Sequence, residues 1–313
     1  MEQKAKIELI IGFVILSFFS SCKYNEPING NTEPKNILYT DVKADTFLFF
    51  NDRVISKGDI ESVIPLVRNN KICHEIYYDY SKMKIWLVSF DDSHSECSFY
   101  EISDSVKPFD LKFTMKFDKK VFLYFIDADY VYLRIDDNAF EGVNLYTHEI
   151  KTLFEPDVDI DGQTYAYCCK YVITEKNLLN SCNGNRIDIS QISKNLKYAD
   201  TFFVSNDGKF LIFGRTNFNG EKLFVYDVSL KKLIDPHINI KRYVKFTYLD
   251  YYERYCISND GFYYSVEQDH AVNNKRGSRQ WIFYDFSSGI KKRLIFKLDS
   301  DHIRLNPVNV YGK

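Results

Sequence analysis

The sequence predicts an all-β fold, a β-propeller of about six four-stranded blades, and three observations carry that expectation. Aromatic residues make up 17% of the 313-residue chain, with 24 Tyr and 26 Phe, side chains that favour pleated, half-buried strands. No stretch after residue 22 keeps a helical period over three turns. A four-part pattern recurs at intervals that match one propeller blade.

Composition narrows the classes further. With 45% hydrophobic residues the chain can bury a large core, and 13 Gly with 7 Pro exclude fibrous repeats. Lys plus Arg number 41 against 43 Asp plus Glu, a formal net charge of −2. No global field then draws nucleic acid, and none is expected as a partner.

In chain order, the first element is an address. Lys4 and Lys6 precede an apolar run from Leu9 to Phe19, followed by Ser20, Ser21 and Cys22, the pattern of an export signal over residues 1–21. These eleven residues span about 16 Å as a helix, short of a hydrocarbon core of roughly 30 Å. Cys22 directly after Ser20-Ser21 resembles the lipobox of bacterial lipoproteins, with Phe19 where Leu is commonest. The resemblance implies cleavage before Cys22, acylation of its thiol with palmitate-type chains, and a membrane partner through the N-terminal lipid. A plain secretory signal with Cys22 in a disulfide is the alternative. The expected location is the cell envelope, lipid-anchored, at the outer membrane.

Residues 22–35 read as a flexible tether, because Lys23 to Pro34 (KYNEPINGNTEP) are polar and rich in Pro and Asn. The propeller domain then occupies 36–313. Beyond Cys22 the chain carries Cys73, Cys97, Cys168, Cys169, Cys182 and Cys256. An even count after export permits disulfides, yet the spacings fit no zinc pattern and buried free thiols are the expectation.

The repeat is clearest at Ser205-Asn206-Asp207-Gly208 and Ser258-Asn259-Asp260-Gly261. Each leads into an apolar strand, a polar turn, an aromatic-acid-apolar signature (Tyr226-Asp227-Val228, Tyr284-Asp285-Phe286) and a basic-apolar tail. The signature acid recurs at Asp188, Glu149, Glu101 and, more weakly, Asp59, giving intervals of 42, 48, 39, 39 and 58 residues up to Asp285. His148 takes the place of the signature Tyr and reads as structural. The run 205–233 resembles the repeats of TolB-type propellers, and the whole is similar to the propeller lipoproteins of Bacteroidota. That resemblance implies a propeller and leaves function open. The tail from His302 to Val310 is expected to supply a strand that closes the ring with the N-terminal copy; seven blades stay open because 36–70 is the least regular stretch.

Three constellations are candidates for chemistry. Asp157, Asp159 and Asp161 before Gly162 match the opening of a calcium loop, but Tyr165 and Cys168 stand where later ligands belong; an acidic-faced strand is the alternative. Copy six carries two insertions relative to copy five. One holds Tyr248, Tyr251 and Tyr252, able to stack on sugars or pack on a protein. The other, Gln268 to Gln280, holds His270, Lys275, Arg276 and Arg279, suited to anionic groups. Core packing and a solvated loop are their bland alternatives. No HExxH, GxSxG, Walker or dinucleotide pattern occurs, so no catalytic residue and no resident cofactor is expected. The expectation is therefore an envelope binding or scaffold module for a protein or glycan. The competing readings are a hydrolase or lyase acting on a glycan or peptide with carboxylates or His at the central channel, and a structural subunit of an envelope complex.

Overall fold

The computed structural model describes residues 28–33, 38–41, 46–49, 53–56, 73–79, 84–91, 93–102, 109–127, 129–135, 139–168, 170–217, 220–240, 255–267, 279–296 and 303–306. Strand β1 (Asn31–Thr32) comes first, and the later strands gather into six sheets among the described residues. The first sheet holds β2 (Leu38–Asp41), β3 (Thr46–Phe49) and β4 (Arg53–Ser56). The second runs β5 (Cys73–Asp79), β6 (Lys84–Phe90), β7 (Glu96–Ile102), β8 (Phe109–Lys116), and the third β9 (Val121–Asp127), β10 (Tyr130–Ile135), β11 (Ala139–Asn144), β12 (Ile150–Thr152). The fourth runs β13 (Thr164–Cys168), β14 (Tyr171–Thr174), β15 (Asn177–Asn180), β16 (Arg186–Asp188). The fifth comprises β17 (Thr201–Val204), β18 (Phe210–Asn217), β19 (Gly220–Asp227) and β20 (Lys232–Ile240), and the sixth β21 (Tyr255–Ile257), β22 (Gly261–Glu267), β23 (Arg279–Asp285) and β24 (Lys291–Leu294). The last strand, β25 (Ile303–Asn306), pairs antiparallel with β2 and completes the first sheet, Tyr39 opposite Leu305. The expected closing strand is therefore present.

The fourth and fifth sheets are antiparallel meanders whose inner strands are buried on both faces, as strands need when sheets stack face to face. Alternate residues of β18 go to opposite neighbours. Ile212 packs with Leu223 and Val225 against Tyr255, Phe262 and Ile282 of the sixth sheet. Leu211 and Phe213 pack with Tyr226 against Tyr171, Ile173 and Leu178 of the fourth. Trp86, Phe99, Val131 and Leu133 join the second and third sheets in the same way. Hydrogen bonds reinforce these contacts: Asp207 N donates to Asn259 Oδ1 (3.0 Å), and Lys291 Nζ, itself buried, donates to the His237 carbonyl (3.3 Å).

The turn from third to fourth strand is built alike in four successive sheets, and it corrects the repeat register. Asn144, Asn180, Asp227 and Asp285 each end or follow a third strand, and each side-chain Oδ1 accepts from the turn backbone, at Tyr146 and Thr147, Cys182, Leu230, and Ser287 and Ser288 respectively. Four positions on, the chain turns left-handed at His148 (φ 58°), Gly184 (75°), Lys231 (51°) and Gly289 (69°). Glu149 and Asp188, read as signature acids, lie instead in the turn and at the end of β16. Asn makes the same side-chain-to-backbone turn as Asp, so the acid alone misplaces two copies.

Two expectations about local structure change. Residues 29–32 of the expected tether form a parallel edge: Asn31 pairs with Arg293 and Thr32 with Leu294, and Asn29 N donates to the Lys291 carbonyl at 2.8 Å. The alternating acids at 157–161 form no strand. They make a helical turn, α1 (Val158–Asp161), capped by Asp157. A second turn of helix, α2 (Ser193–Leu196), follows β16, and among the described residues no helix is long and apolar enough to cross a membrane.

Candidate functional site

Antiparallel meanders give every sheet two ends. At one, here called the turn end, lie the first-to-second and third-to-fourth turns. At the other, the crossover end, lie the second-to-third hairpins, the starts of first strands and the exits of fourth strands. The register fixes this: Thr201 opposes Gly214 near the β18–β19 hairpin, and Ile240 opposes Glu221. In the sixth sheet Tyr255 opposes Tyr264, close to the Glu267 and Arg279 pair. Both insertions singled out in the sequence thus leave from and return to this end, between Ile240 and Tyr255 and between Glu267 and Arg279.

On the sixth-sheet side of the fifth sheet, the crossover end holds a buried carboxylate. Glu221 has the same parity in β19 as the core residues Leu223 and Val225, and only 1% of it is exposed. Its Oε2 accepts from the Tyr255 hydroxyl at 2.6 Å. Room for it comes from Gly214, where a Cβ would lie 2.7 Å from Glu221 Oε1. Tyr255 stacks on Phe262 at 5.8 Å and leans on Phe203 at 5.5 Å. Burial, with Tyr284 beside it, pushes the Tyr264 hydroxyl well above the usual phenol range. The cluster is closed to solvent.

On the fourth-sheet side the same end is open. Tyr198 is 59% exposed, and the Arg215 guanidinium lies over its ring at 5.3 Å. Val158 (78% exposed) and Ile160 project from α1 in the crossover before β13. Exposed aromatic and Arg side chains are enriched at protein interfaces.

The calcium expectation meets a different geometry. The Asp161 side chain is fully buried, and it accepts from Arg186 Nε (3.0 and 3.2 Å), Asn177 Nδ2 (2.9 Å) and the Asp157 backbone N (2.8 Å). Burial raises its pKa, but these donors outweigh burial and hold the carboxyl below its ordinary value. Asp157 is spent on capping, its Oδ1 accepting from Asp159 N. The three carboxylates do not converge: the arginine occupies the place of a cation, and among the described residues no group of three acids, His or Cys is placed to hold a metal.

The remaining sequence candidates divide in two. Cys22, Tyr248, Tyr251, Tyr252, His270, Lys275 and Arg276 lie outside the described residues, and Arg279 is described as the first residue of β23, opposite Glu267. Cys97 and Cys168 are buried thiols; burial pushes Cys168 up to about 12 and Cys97 higher still. His94 and His148 adopt positive φ in turns, and His237 does so within β20. Sequence reading missed the Glu221–Tyr255 pair and Tyr198–Arg215. The former had a signal, since a Glu at core-facing parity in an apolar strand needs a buried partner.

No protein-family model matches the chain, and no curated protein matches it. Solved structures that align with it include a TolB protein from Agrobacterium tumefaciens, at 10% identity over 87% of this chain and 98% of that one, with a TM-score of 0.40. BamB from Moraxella catarrhalis aligns at 8% identity over 86% and 75%, TM-score 0.33. An exported protein from Bacteroides fragilis aligns at 9% identity over 77% and 80%, TM-score 0.39. Likeness at this level adds nothing to the architecture described from the sheets themselves.

Proposed function

We propose that the chain is a lipid-anchored β-propeller of six blades in the cell envelope, a TolB-type repeat protein at the outer membrane, that binds a protein or glycan partner and performs no catalysis. The observation that carries this reading is the exposed Tyr198–Arg215 pair, with Val158 and Ile160 exposed at the same crossover end, where large apolar and cationic side chains stay in water. Tyr248, Tyr251, Tyr252, His270, Lys275, Arg276 and Arg279 belong to the same proposed surface, because their segments are rooted at that end. Acylated Cys22 supplies the membrane contact. The reading includes no cofactor and no calcium at Asp157, Asp159 and Asp161, since Arg186 already neutralises Asp161.

The alternative, a hydrolase or lyase acting on a glycan or peptide, has a carboxylate and a hydroxyl together in Glu221 and Tyr255. At 1% exposure Glu221 has no access to substrate, and general acid–base work needs that access. The test is capture from envelope extract by the mature protein and by a Tyr198→Ala, Arg215→Ala double variant, washed with and without calcium and read by mass spectrometry of proteins and glycans. A partner held by the wild type and lost by the variant supports the reading. Equal retention by both refutes the surface, and turnover of a glycan or peptide by the purified protein refutes the absence of catalysis.

A further inference from the structure

The start of the described chain fixes which end of the propeller can face a bilayer. β1 runs parallel to β24, and its first contact, Asn29 N to the Lys291 carbonyl, is level with the beginning of β24. β24 begins directly after the turn from Asp285 to Ile290. Followed backwards toward Cys22, the chain therefore leaves the sixth sheet at its turn end. Arg293 N donating to the Gly30 carbonyl and Ile295 N donating to the Thr32 carbonyl hold the segment along its length.

Magnitudes then restrict the geometry. From Ile28 back to Cys22 is six residues, a reach of about 20 Å when fully extended. A seven-residue strand such as β22 is about 24 Å long, so a lipid on Cys22 cannot bring the crossover end down to the membrane past the height of the sheet. The turn end also carries apolar side chains where turns normally carry polar ones. Tyr146 (55% exposed), Leu230 (71%) and Ile290 (37%) stand in the third-to-fourth turns of the third, fifth and sixth sheets.

We propose that the turn end is the membrane-apposed surface of the propeller, resting on the lipid headgroups with Tyr146, Leu230 and Ile290 against them, and that β1 is the strap that sets this orientation. The inference rests on the reading of Cys22 as acylated. It assigns the crossover end to the aqueous side, away from the bilayer that holds the protein.

The experiment uses the full chain, expressed in a bacterium that processes lipoproteins and reconstituted into phosphatidylcholine vesicles carrying a nitroxide on the headgroup. Three single variants add a Trp at exposed positions: Leu230→Trp, Tyr146→Trp and Val158→Trp. The native Trp86 and Trp281 are buried and give a constant background in the unsubstituted protein. Mass spectrometry of the mature N-terminus reads the anchor separately. With the lipid present, the added emission of Leu230→Trp and Tyr146→Trp is lost to the nitroxide while that of Val158→Trp is retained. Loss at Val158→Trp, or no loss at all three, overturns the orientation and leaves the anchor standing. Loss at Leu230→Trp alone means an edge-on pose and overturns the face assignment. An N-terminus without lipid overturns the anchor and the orientation together.

Discussion

Replacing Arg186 with Met would test the reading of the 157–162 loop most directly. The substitution keeps the aliphatic stem but removes the guanidinium whose Nε sits 3.0 Å from Asp161 Oδ1. Asp161 would keep Asn177 Nδ2 and the Asp157 backbone N as donors but lose its only counter-charge among the described salt bridges. Breaking a buried pair costs about 3 to 5 kcal/mol. The Arg186 side chain is 29% exposed, so water can reach the gap, which places the cost at the lower end, about 3 kcal/mol. For a chain of this size that is a fall of about 5 °C in Tm. The folded-state pKa of Asp161 is lowered from its ordinary 3.8. Its stabilisation in the wild type is therefore whole above that value and lost as pH falls through the folded-state pKa. The gap between wild type and variant must accordingly close in acid. Thermal melts of both proteins at neutral and acid pH, each with and without calcium, read all of this. A neutral-pH Tm equal to wild type, or a wild-type Tm that rises with calcium, would refute the reasoning, because either result means that the arginine does not serve as the cation of this site.

Four further outcomes follow from the geometry. Gly208→Ala forces a side chain into a left-handed position (φ 73°) with its Cβ 2.5 Å from the Tyr171 hydroxyl, and should cost about 2 to 3 kcal/mol from backbone strain and the lost bond to the Asn206 carbonyl; a melt within 1 °C of wild type contradicts it. Tyr255→Phe removes a donor from the buried Glu221 carboxylate and should cost about 2 kcal/mol in urea unfolding, with the aromatic stacking intact. Iodoacetamide at pH 8 should leave Cys97 and Cys168 unmodified in the native protein and label them in urea, since burial raises both thiols; rapid native labelling would show that these sheets open. The Tyr198→Ala, Arg215→Ala pair touches exposed groups alone, so it should change Tm by less than about 1 kcal/mol equivalent while abolishing partner capture.

How much of this was legible in the sequence depends on which interaction encodes each feature. The Ser-Asn-Asp-Gly turns were plain because one local rule produces them: Ser205 Oγ donates to Asp207 Oδ1 and accepts from Phe210 N, and Gly208 supplies the positive φ. The register of the third and fourth copies was not, because Asn144 and Asn180 perform the task that Asp227 and Asp285 perform, and a search for acids passes over them. Residues 157–161 alternate like a strand in sequence, yet Asp157 caps a helical turn and Asp161 answers to Arg186, 25 positions later. Long-range partners of that kind leave no local mark. The same holds for Asn29 to Thr32, whose polar composition reads as tether and whose pairing with β24 depends on residues some 260 positions away. At the candidate site, the two insertions are rooted at the crossover end, whereas Tyr198 and Arg215 needed the β16–β17 crossover and β18 to be seen side by side.

The pairing of Tyr39 with Leu305 also dictates an order of events. The sheet that the chain begins is finished by the strand it makes last, and β1 likewise waits for Arg293 and Leu294. Contacts this distant in sequence form slowly, and neither exists until almost the whole polypeptide has emerged. During synthesis β2 therefore has β3 to pair with early, while its other edge waits for β25. The first sheet can be completed only when β25 has been made, so this pairing ties the two ends of the described chain into one late folding step.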